Sequence, residues 1–347
     1  MAQKKKVTFD DIARYIHVSK TNISRYFNHP DSLTLENQKI ISDALEKLNY
    51  QENKVARILA SGKTEFIGLL IPDLYHHYYA EVLNQILSTY ETFGYKFLVF
   101  TGNANEEIER RYIQELFAYQ IEGMIVLSHT LSSQELAQFQ IPVVAIERED
   151  QFVCSVNTDN EAGGRQAAAL LEEQQCDILI HINSPTDPRI PAYGRIRGFE
   201  DYCQANGLAH EVILRELDRS YEEDQAILQD ILREWDKKYA RKKIGVFMAN
   251  DTTANTLLNL IIRRYGYLPK EYCIVGFDNS PTSREAIIPL STVGQQVDRL
   301  AHEAVQLLVD QIKVRKQGKT LAESVPVHKI VPPVLFRRAT AGGVDVI

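Results

Sequence analysis

The chain has 347 residues, of which 44% are hydrophobic and 24% are charged. This composition is ordinary for a globular protein, and the length exceeds that of one small domain. No run approaches the roughly 20 apolar residues of a membrane span, and the start MAQKKKVTF lacks the apolar core of a secretion signal. We therefore expect a cytoplasmic protein with no membrane partner.

The charge is unevenly distributed along the chain. Residues 1–62 hold ten Lys and Arg against seven Asp and Glu, whereas the remainder holds 29 against 39. The formal net charge of −7 thus divides into +3 and −10. A basic excess confined to the N-terminal part is typical of a segment that contacts phosphates.

Three short amphipathic segments lie between Val7 and Tyr50. Their predicted N-caps are Thr8, which has Asp11 at capping-box spacing, then Ser19 and Thr34. Apolar residues recur at helical spacing in each segment and predict a shared small core. These predicted core residues are Ile12, Ala13, Ile16, Ile23, Phe27, Ile40, Ile41, Ala44, Leu45 and Leu48.

The second segment leaves a polar row, Lys20, Thr21, Ser24 and Arg25, on its outer face. Two short helices joined by a tight turn form a helix-turn-helix, whose second helix enters the major groove of DNA. Arg25 is the strongest candidate for base reading, because a guanidinium can pair with both acceptors on a guanine edge. The alternative is an ordinary solvated helix face.

From Phe66 the pattern changes to short apolar runs alternating with amphipathic stretches. FIGLLIP, YKFLVF, GMIVL and PVVAI form a first series, and CSVNT, DILIHI, IGVFM and YCIVGF form a second. Buried strands that alternate with helices indicate parallel, doubly wound sheets. The predicted fold class is an all-α helix-turn-helix head followed by an α/β body of two such lobes, as in periplasmic binding proteins.

Ligands of open parallel sheets bind beyond the carboxyl ends of the strands. Aromatic rings, carboxylates, amides and an arginine follow the predicted strands, as a site for a small polyol requires. These strand-end candidates are residues 73–79, 101–103, 147–148, 183–185, 250–251 and 278–279. Asp159 and Asp251 are interpreted as residues that start helices.

Two stretches, VTFDDIARYIHVSKTNISRYFN and LNYQENKVARILASGKTEFIGLLIPD, resemble the lactose-repressor and galactose-repressor (LacI/GalR-type) family of bacterial transcription regulators. The resemblance extends to about Arg338. It implies a DNA-binding domain at residues 1–50, a hinge at 51–63 and a ligand-binding and dimerisation domain at 64–338. The glycine-containing remainder, residues 339–347, is predicted to be a disordered tail without heptads for further assembly.

For the head, the resemblance implies that Lys20, Thr21 and Arg25 read bases. The predicted backbone contacts are Thr8, Ser19, Ser24, Asn28 and Asn37. In the hinge, Val55, Ala56 and Leu59 would enter the minor groove, with Leu59 wedged into a base step of the operator. The competing interpretation of this short apolar stripe is packing against the body.

For the body, the resemblance assigns effector binding to Tyr78, Glu147, Arg195, Asn250, Asp278 and Gln295. Arg219 occupies a position where the family often has an aromatic residue, and Arg148 follows Glu147 directly. If Arg148, Arg189 and Arg219 face the cleft, the effector is a sugar phosphate, because guanidinium pairs with phosphate. A neutral sugar is the default.

The sequence has no GxGxxG after a strand, no GxxxxGK[ST], no GxSxG and no HExxH, and we predict neither catalysis nor a cofactor or metal. The prediction is a homodimeric repressor of a sugar-utilisation operon that binds a pseudo-palindromic operator. Ligand in the cleft would reset the lobes and, through the dimer, the hinges, with induction favoured over corepression. The alternative function is a sugar-binding module or doubly wound enzyme with a helical oligomerisation head.

Overall fold

The computed structural model describes residues 7–51, 58, 62–74, 77–102, 105–148, 151–217, 220–318 and 325–343. By its internal contacts, the chain divides into Met1–Lys63, here called the head, and Thr64–Ile347, here called the body. Within these described ranges, no helix has the length and apolar character that crossing a membrane requires.

The head contains the three predicted helices, α1 (Phe9–Ile16), α2 (Lys20–Asn28) and α3 (Leu35–Lys47), with a 3-10 turn at Pro30–Ser32. The predicted caps are confirmed. Thr8 and Asp11 form a reciprocal capping box, in which the Thr8 backbone N–H donates to the Asp11 carboxylate over 2.9 Å. Because these caps satisfy backbone N–H groups that lack helical partners, they define where the helices begin.

The head packs around four buried residues, Ile12, Ile23, Ile41 and Ala44. Aromatic rings cover this core, with Phe9 and Phe27 stacked at 5.3 Å between centroids. The prediction that Ile40 belongs to the core is wrong, because 40% of its surface is exposed. It precedes Ile41 by one residue, which on a helix is a rotation of about 100° away from the buried face.

The body contains two six-stranded sheets, ordered β11-β5-β4-β3-β1-β2 and β12-β10-β9-β8-β6-β7. All neighbouring pairs in the two sheets are parallel except β10 with β12. The first sheet comprises β1 (Phe66–Ile71), β2 (Lys96–Thr101), β3 (Gly123–Val126), β4 (Val143–Ile146), β5 (Cys154–Thr158) and β11 (His328–Val331). The second comprises β6 (Ile178–Asn183), β7 (His210–Leu214), β8 (Ile244–Met248), β9 (Tyr272–Asp278), β10 (Ser291–Gly294) and β12 (Val334–Phe336).

Helices cover both faces of each sheet, which is why most strands are buried apolar runs. On the first sheet lie α4 (His77–Ser88), α5 (Tyr90–Phe93), α6 (Glu106–Ala118), α7 (Ser133–Gln138) and α13 (Val297–Lys316). On the second lie α8 (Asn160–Glu173), α9 (Gly194–Ala205), α10 (Tyr221–Lys238), α11 (Asp251–Tyr265) and α12 (Pro281–Glu285).

The chain passes between the sheets at residues 158–160, 294–297 and 331–334. The assignment of CSVNT to the second series is wrong, because β5 pairs with β4 and β11 in the first sheet. An apolar run predicts that a strand is buried but does not identify its neighbours. The return of α13 and β11 to the first sheet was likewise not predicted.

The segment after Arg338 is ordered where the structure describes it. Thr340 and Ala341 are each only 2% exposed. The Thr340 hydroxyl donates to the Ile274 carbonyl over 2.7 Å and accepts from the Ser291 backbone N–H over 2.9 Å. The predicted disorder is therefore wrong for residues 339–343, because hydrogen bonds to β9 and β10 hold this polar segment, while residues 344–347 lie outside the described part.

Candidate functional site

The polar row predicted on α2 is on its outer face. Lys20, Thr21 and Arg25 are exposed, while Ile23 between them is fully buried. The Lys20 ammonium lies 3.1 Å from the Asp10 carboxylate, but both side chains are about 60% exposed. A pair in water contributes little stability, so Lys20 can exchange this partner for an external phosphate or base at small cost.

Three of the residues predicted to contact the DNA backbone, Thr8, Ser19 and Asn37, lie at helix starts. The Ser19 hydroxyl accepts the Asn22 N–H over 3.2 Å, and Thr8 has the equivalent role in α1. Asn37 is half-buried in the first turn of α3, and Ser24 is half-buried on α2. Helix N-termini present free N–H groups and positive dipole ends, which suit phosphate.

Four of the residues predicted to contact DNA lie wholly or partly outside the described part of the chain. The side chain of Asn28 and the hinge residues Val55, Ala56 and Leu59 lie outside the described residues. Their roles stay predictions from the resemblance.

Between the two sheets lies a cavity of about 250 Å³, at the carboxyl ends of the strands. All six residues that the resemblance assigned to effector binding line it: Tyr78, Glu147, Arg195, Asn250, Asp278 and Gln295. The position agrees with the rule for open parallel sheets. We call this cavity the cleft.

One hydrogen-bond chain crosses the cleft from Glu147 to Arg195. The Glu147 carboxylate accepts from the Thr158 N–H over 2.9 Å and from the Asn160 amide over 2.8 Å. Asn160 in turn accepts from the Arg195 Nε over 2.8 Å, and Arg195 donates to the Ala249 carbonyl over 2.7 Å. Buried groups that bond one another in this way are held in one geometry.

A second chain runs from Asp278 to Thr158. The Gln295 amide donates to the Asp278 carboxylate over 2.7 Å, and the Gln295 oxygen accepts from the Thr158 hydroxyl over 2.6 Å. Gln295 lies in the 294–297 connection, and Thr158 lies in the 158–160 connection. The cleft lining is therefore bonded to segments that join the two sheets.

Two acidic residues in the cleft have left-handed backbone conformations. The φ angle is 58° at Glu147 and 109° at Asp278, values that non-glycine residues rarely adopt. Both follow or end a strand, where the chain must turn to aim the carboxylate into the cavity. Such strain persists only where the surroundings hold the residue, and it concentrates at functional sites.

Tyr78 is buried, with 8% of its surface exposed. Its hydroxyl nevertheless has no hydrogen-bond partner within the described residues. Burial raises its pKa well above the usual range, and the nearby Glu147 and Asp278 raise it further. Burial likewise raises the pKa of Asp278 well above that of a free carboxyl group. An unpaired buried donor costs free energy, which a bound hydroxyl or carbonyl would recover.

Two residues at or beside the cleft were not predicted from the sequence. His129 lines the cleft, and burial, aided by the charge of Arg148, lowers its pKa to about 4, so the ring is neutral at pH 7. Asn160 links Glu147 to Arg195 from the first position of α8. His129 follows β3 by three residues, and inspecting every strand end would have found it.

Asn250 was expected to bind the effector and Asp251 to start a helix, but the helix cap is Asn250. Asn250 lines the cleft and also caps α11, accepting the Thr253 N–H over 2.9 Å. Asp251 begins the helix but is no cap, because its buried carboxylate accepts from Ser280 and Thr292 across the fold. Burial raises the pKa of Asp251 to about 7.

Two of the arginines that suggested an anionic effector, Arg148 and Arg189, are not in the cleft lining. Arg148 is 8% exposed and donates to the Leu131 carbonyl over 2.6 Å, which corrects its assignment to the effector site. Arg189 is 90% exposed and pairs with Asp187 at 2.6 Å. Arg219 lies outside the described residues. Thr101 and Gly102, also nominated as strand-end residues, do not line the cleft either.

Comparison with known proteins agrees with this architecture. Residues 64–252 match the family described as periplasmic binding proteins and sugar binding domain of LacI family, and residues 167–340 match a periplasmic binding protein-like domain. The ribose operon repressor of Halalkalibacterium halodurans is 29% identical over 97% of this chain and 98% of its own length.

Two solved structures are similar. The lac repressor dimer bound to operator and the anti-inducer ONPF has a TM-score of 0.78 at 23% identity, covering 97% of this chain and 99% of that one. A LacI-type regulator from Alkaliphilus metalliredigens complexed with D-xylulofuranose has a TM-score of 0.69 at 27% identity, covering 80% of this chain and all of that one. The family match, together with the head and the cleft, shows that this chain belongs to the LacI family and is a sugar-responsive transcriptional repressor rather than an enzyme.

Proposed function

We propose that the protein acts in the cytoplasm as a homodimer on a pseudo-palindromic operator, that its cleft binds a neutral sugar, and that the sugar weakens operator binding. The dimer and the operator are features of the lac repressor complex whose fold this chain shares. A two-fold dimer suits a pseudo-palindrome, because each head meets an equivalent half-site.

The observation that carries the choice of a neutral sugar is the charge of the cleft lining. Within the described residues, the lining holds the carboxyl groups of Glu147 and Asp278 and a single guanidinium, that of Arg195. His129 adds no charge near pH 7. Carboxylates and amides accept sugar hydroxyls well, whereas a phosphate dianion would lie close to two acidic groups.

Pentoses are the first sugars to test. The Halalkalibacterium halodurans relative is named a ribose operon repressor, and the Alkaliphilus metalliredigens regulator holds D-xylulofuranose. A cavity of about 250 Å³ suits a monosaccharide better than a long oligosaccharide.

For the head, we propose that Arg25, with Lys20 and Thr21, reads bases, and that Thr8, Ser19, Ser24, Asn28 and Asn37 contact phosphates. Exposure of the first three side chains supports this proposal. The hinge residues Val55, Ala56 and Leu59 would fold on the operator and open the minor groove.

Thermal unfolding tests the effector class. The full chain is unfolded with D-ribose, D-xylulose, sucrose or ribose 5-phosphate, since a ligand of the folded state raises Tm by mass action. We expect a neutral sugar to raise Tm and the phosphate to leave it unchanged. A shift with ribose 5-phosphate alone would contradict the neutral-sugar proposal.

A further inference from the structure

A groove runs along the second lobe between α10 and α11, at the opposite end of the sheet from the cleft. Strands β8 and β9 begin beside the groove at Ile244 and Tyr272, whereas their carboxyl ends reach the cleft. The groove consists of adjoining cavities of about 270 and 450 Å³, both of which include Asp236. Nothing in the proposed sugar response uses it.

The groove is elongated along α10. From Gln225 to Asp236 it follows α10 for about 17 Å, at the helical rise of about 1.5 Å per residue. An extended peptide of about five residues covers that length, at about 3.3 Å per residue. The shape therefore suits a peptide segment better than a compact metabolite.

The groove is basic, although the chain after residue 62 is acidic by ten charges. Its cations are Arg233, Arg241, Lys242, Arg263 and Arg264. Arg264 pairs with Asp236 at 2.6 Å, and Arg233 pairs with Asp230 in an exposed contact. Within the described ranges, Arg241, Lys242 and Arg263 have no carboxylate partner, which leaves them available to an acidic ligand.

One end of the groove is aromatic. Trp235, Tyr239, Tyr265, Tyr267 and Tyr272 line it, and Tyr267 is 64% exposed. The buried Trp235 indole N–H has no acceptor among the described residues. Tyrosine, tryptophan and arginine are the residues most enriched at the energetic centres of protein interfaces.

Stabilisation of helix ends explains only part of this arrangement. Arg263 and Arg264 lie in the last turn of α11, where cations offset the helix dipole. Arg241, Lys242 and Tyr267 lie beyond the ends of the helices, so that role does not require them.

We propose that this basic groove binds an acidic segment of a second protein, with an aromatic side chain against the tyrosines and carboxylates along the arginines. Asp236 and Glu271 interrupt the cations at the aromatic end. A peptide can space its charges around these two acids, whereas the phosphates of a DNA backbone are evenly spaced. The groove would give the repressor a second, protein-borne input separate from the sugar.

Trp235 provides a direct readout, because it is the only tryptophan in the sequence. The probe is a short acetylated peptide of glutamates around one phenylalanine, added to the full chain without sugar at low ionic strength. We expect saturable change in tryptophan emission with a Kd of about 1 mM or tighter, weakened by salt. A peptide with lysine in place of glutamate should give none.

Variants locate the binding. Arg241→Glu with Lys242→Glu should weaken the peptide at least about tenfold, and Tyr267→Ala should weaken it severalfold, with Tm unchanged. Arg111→Glu with Arg315→Glu, which changes two exposed cations of the first lobe, is the matched control for net charge.

Three results of the binding experiments would overturn the proposal, and a fourth comes from the assembly state of the protein. The three are no emission change up to millimolar peptide, equal weakening by both double variants, or tighter binding of duplex DNA than of the peptide at this groove. Sedimentation of the protein without peptide tests the other occupant of the groove, a second copy of this chain. If Arg241→Glu with Lys242→Glu dissociates an assembly, the groove contacts a second copy of this chain instead.

Discussion

In the head, the side chains predicted to read bases are exposed, whereas in the cleft most of the side chains predicted to contact sugar are buried. Lys20 and Arg25 are exposed around a core of four buried residues. Glu147, Arg195 and Asp278 are each 9% exposed or less, within two hydrogen-bond chains. The head can adapt to its ligand, while the cleft is organised before its ligand arrives.

The difference has energetic consequences. Removing an exposed side chain from the head should affect binding alone, because no partner in the fold is left unsatisfied. Removing a side chain from the cleft should affect binding and folding together, because buried partners lose their hydrogen bonds. Four predictions test this contrast, in order of decreasing expected effect.

Arg195→Ala should be the most damaging. It leaves Asn160 and the Ala249 carbonyl without a donor and removes the guanidinium that lies 3.8 Å from the Phe277 ring centroid. We expect sugar affinity to fall by about 2–5 kcal/mol, or about 30-fold and more, with a lower Tm. Calorimetric titration measures the affinity. Arg189→Ala, an exposed control, should change neither quantity, and equal affinity in both variants would contradict the cleft assignment.

Arg25→Ala should weaken specific operator binding by about 1–3 kcal/mol while leaving Tm unchanged. Fluorescence anisotropy with an operator selected from random DNA measures the loss. The control is Arg14→Ala, whose side chain on α1 is 77% exposed. If both variants lose the same affinity on specific and random DNA, Arg25 contacts phosphates and does not read a base.

His181 is buried next to the cleft. Its ring nitrogen lies 3.3 Å from the side-chain amide of Asn183, which lines the cleft. Burial lowers its pKa to about 3, so the unfolded chain binds the proton first as the pH falls below about 6.5. Its contribution to stability is therefore full above pH 6.5 and is lost progressively towards pH 3. At pH 5 the loss is about 2 kcal/mol.

Denaturant unfolding of wild type and His181→Gln from pH 7.5 to 5 checks this contribution. The stability of wild type relative to the variant should fall with the pH. A constant difference would show that His181 does not titrate abnormally. The comparison also removes the opposite contribution of Asp251, whose raised pKa favours the folded state at low pH.

Tyr78→Phe should change stability and sugar affinity least, and the two changes should have opposite signs. Without sugar the variant should be as stable as wild type or more stable by about 1 kcal/mol, because a buried unpaired hydroxyl is removed. With sugar it should bind about 1 kcal/mol more weakly. Thermal unfolding with and without sugar gives both values, and unchanged sugar affinity would exclude a hydrogen bond from Tyr78.

The predictable parts of the molecule were those with local signals. The capping box of Thr8 and Asp11 follows from a spacing of three residues, and the strands β1, β3, β6 and β8 follow from their apolar runs. The six cleft residues assigned by the resemblance were also placed together. In each case the information lies in adjacent residues or in a motif.

The rest depends on contacts between distant residues. Asn160 bonds partners 13 and 35 positions away, and no local pattern identifies them. Arg148 follows a cleft residue but turns to the Leu131 carbonyl, since neighbouring side chains at a strand end point in different directions. Residues 339–343 are ordered because they form hydrogen bonds to β9 and β10. The sequence of a short glycine-containing segment does not predict such bonds.

The most direct test of the account is the coupling between sugar and operator. Operator affinity is measured by anisotropy with and without saturating sugar, and sugar affinity is measured by calorimetry with and without operator. We predict that sugar weakens operator binding, and that operator weakens sugar binding by the same factor, as linkage requires. Operator affinity that stays unchanged at saturating sugar, in a protein whose cleft binds that sugar, would contradict the claim that the cleft controls the head.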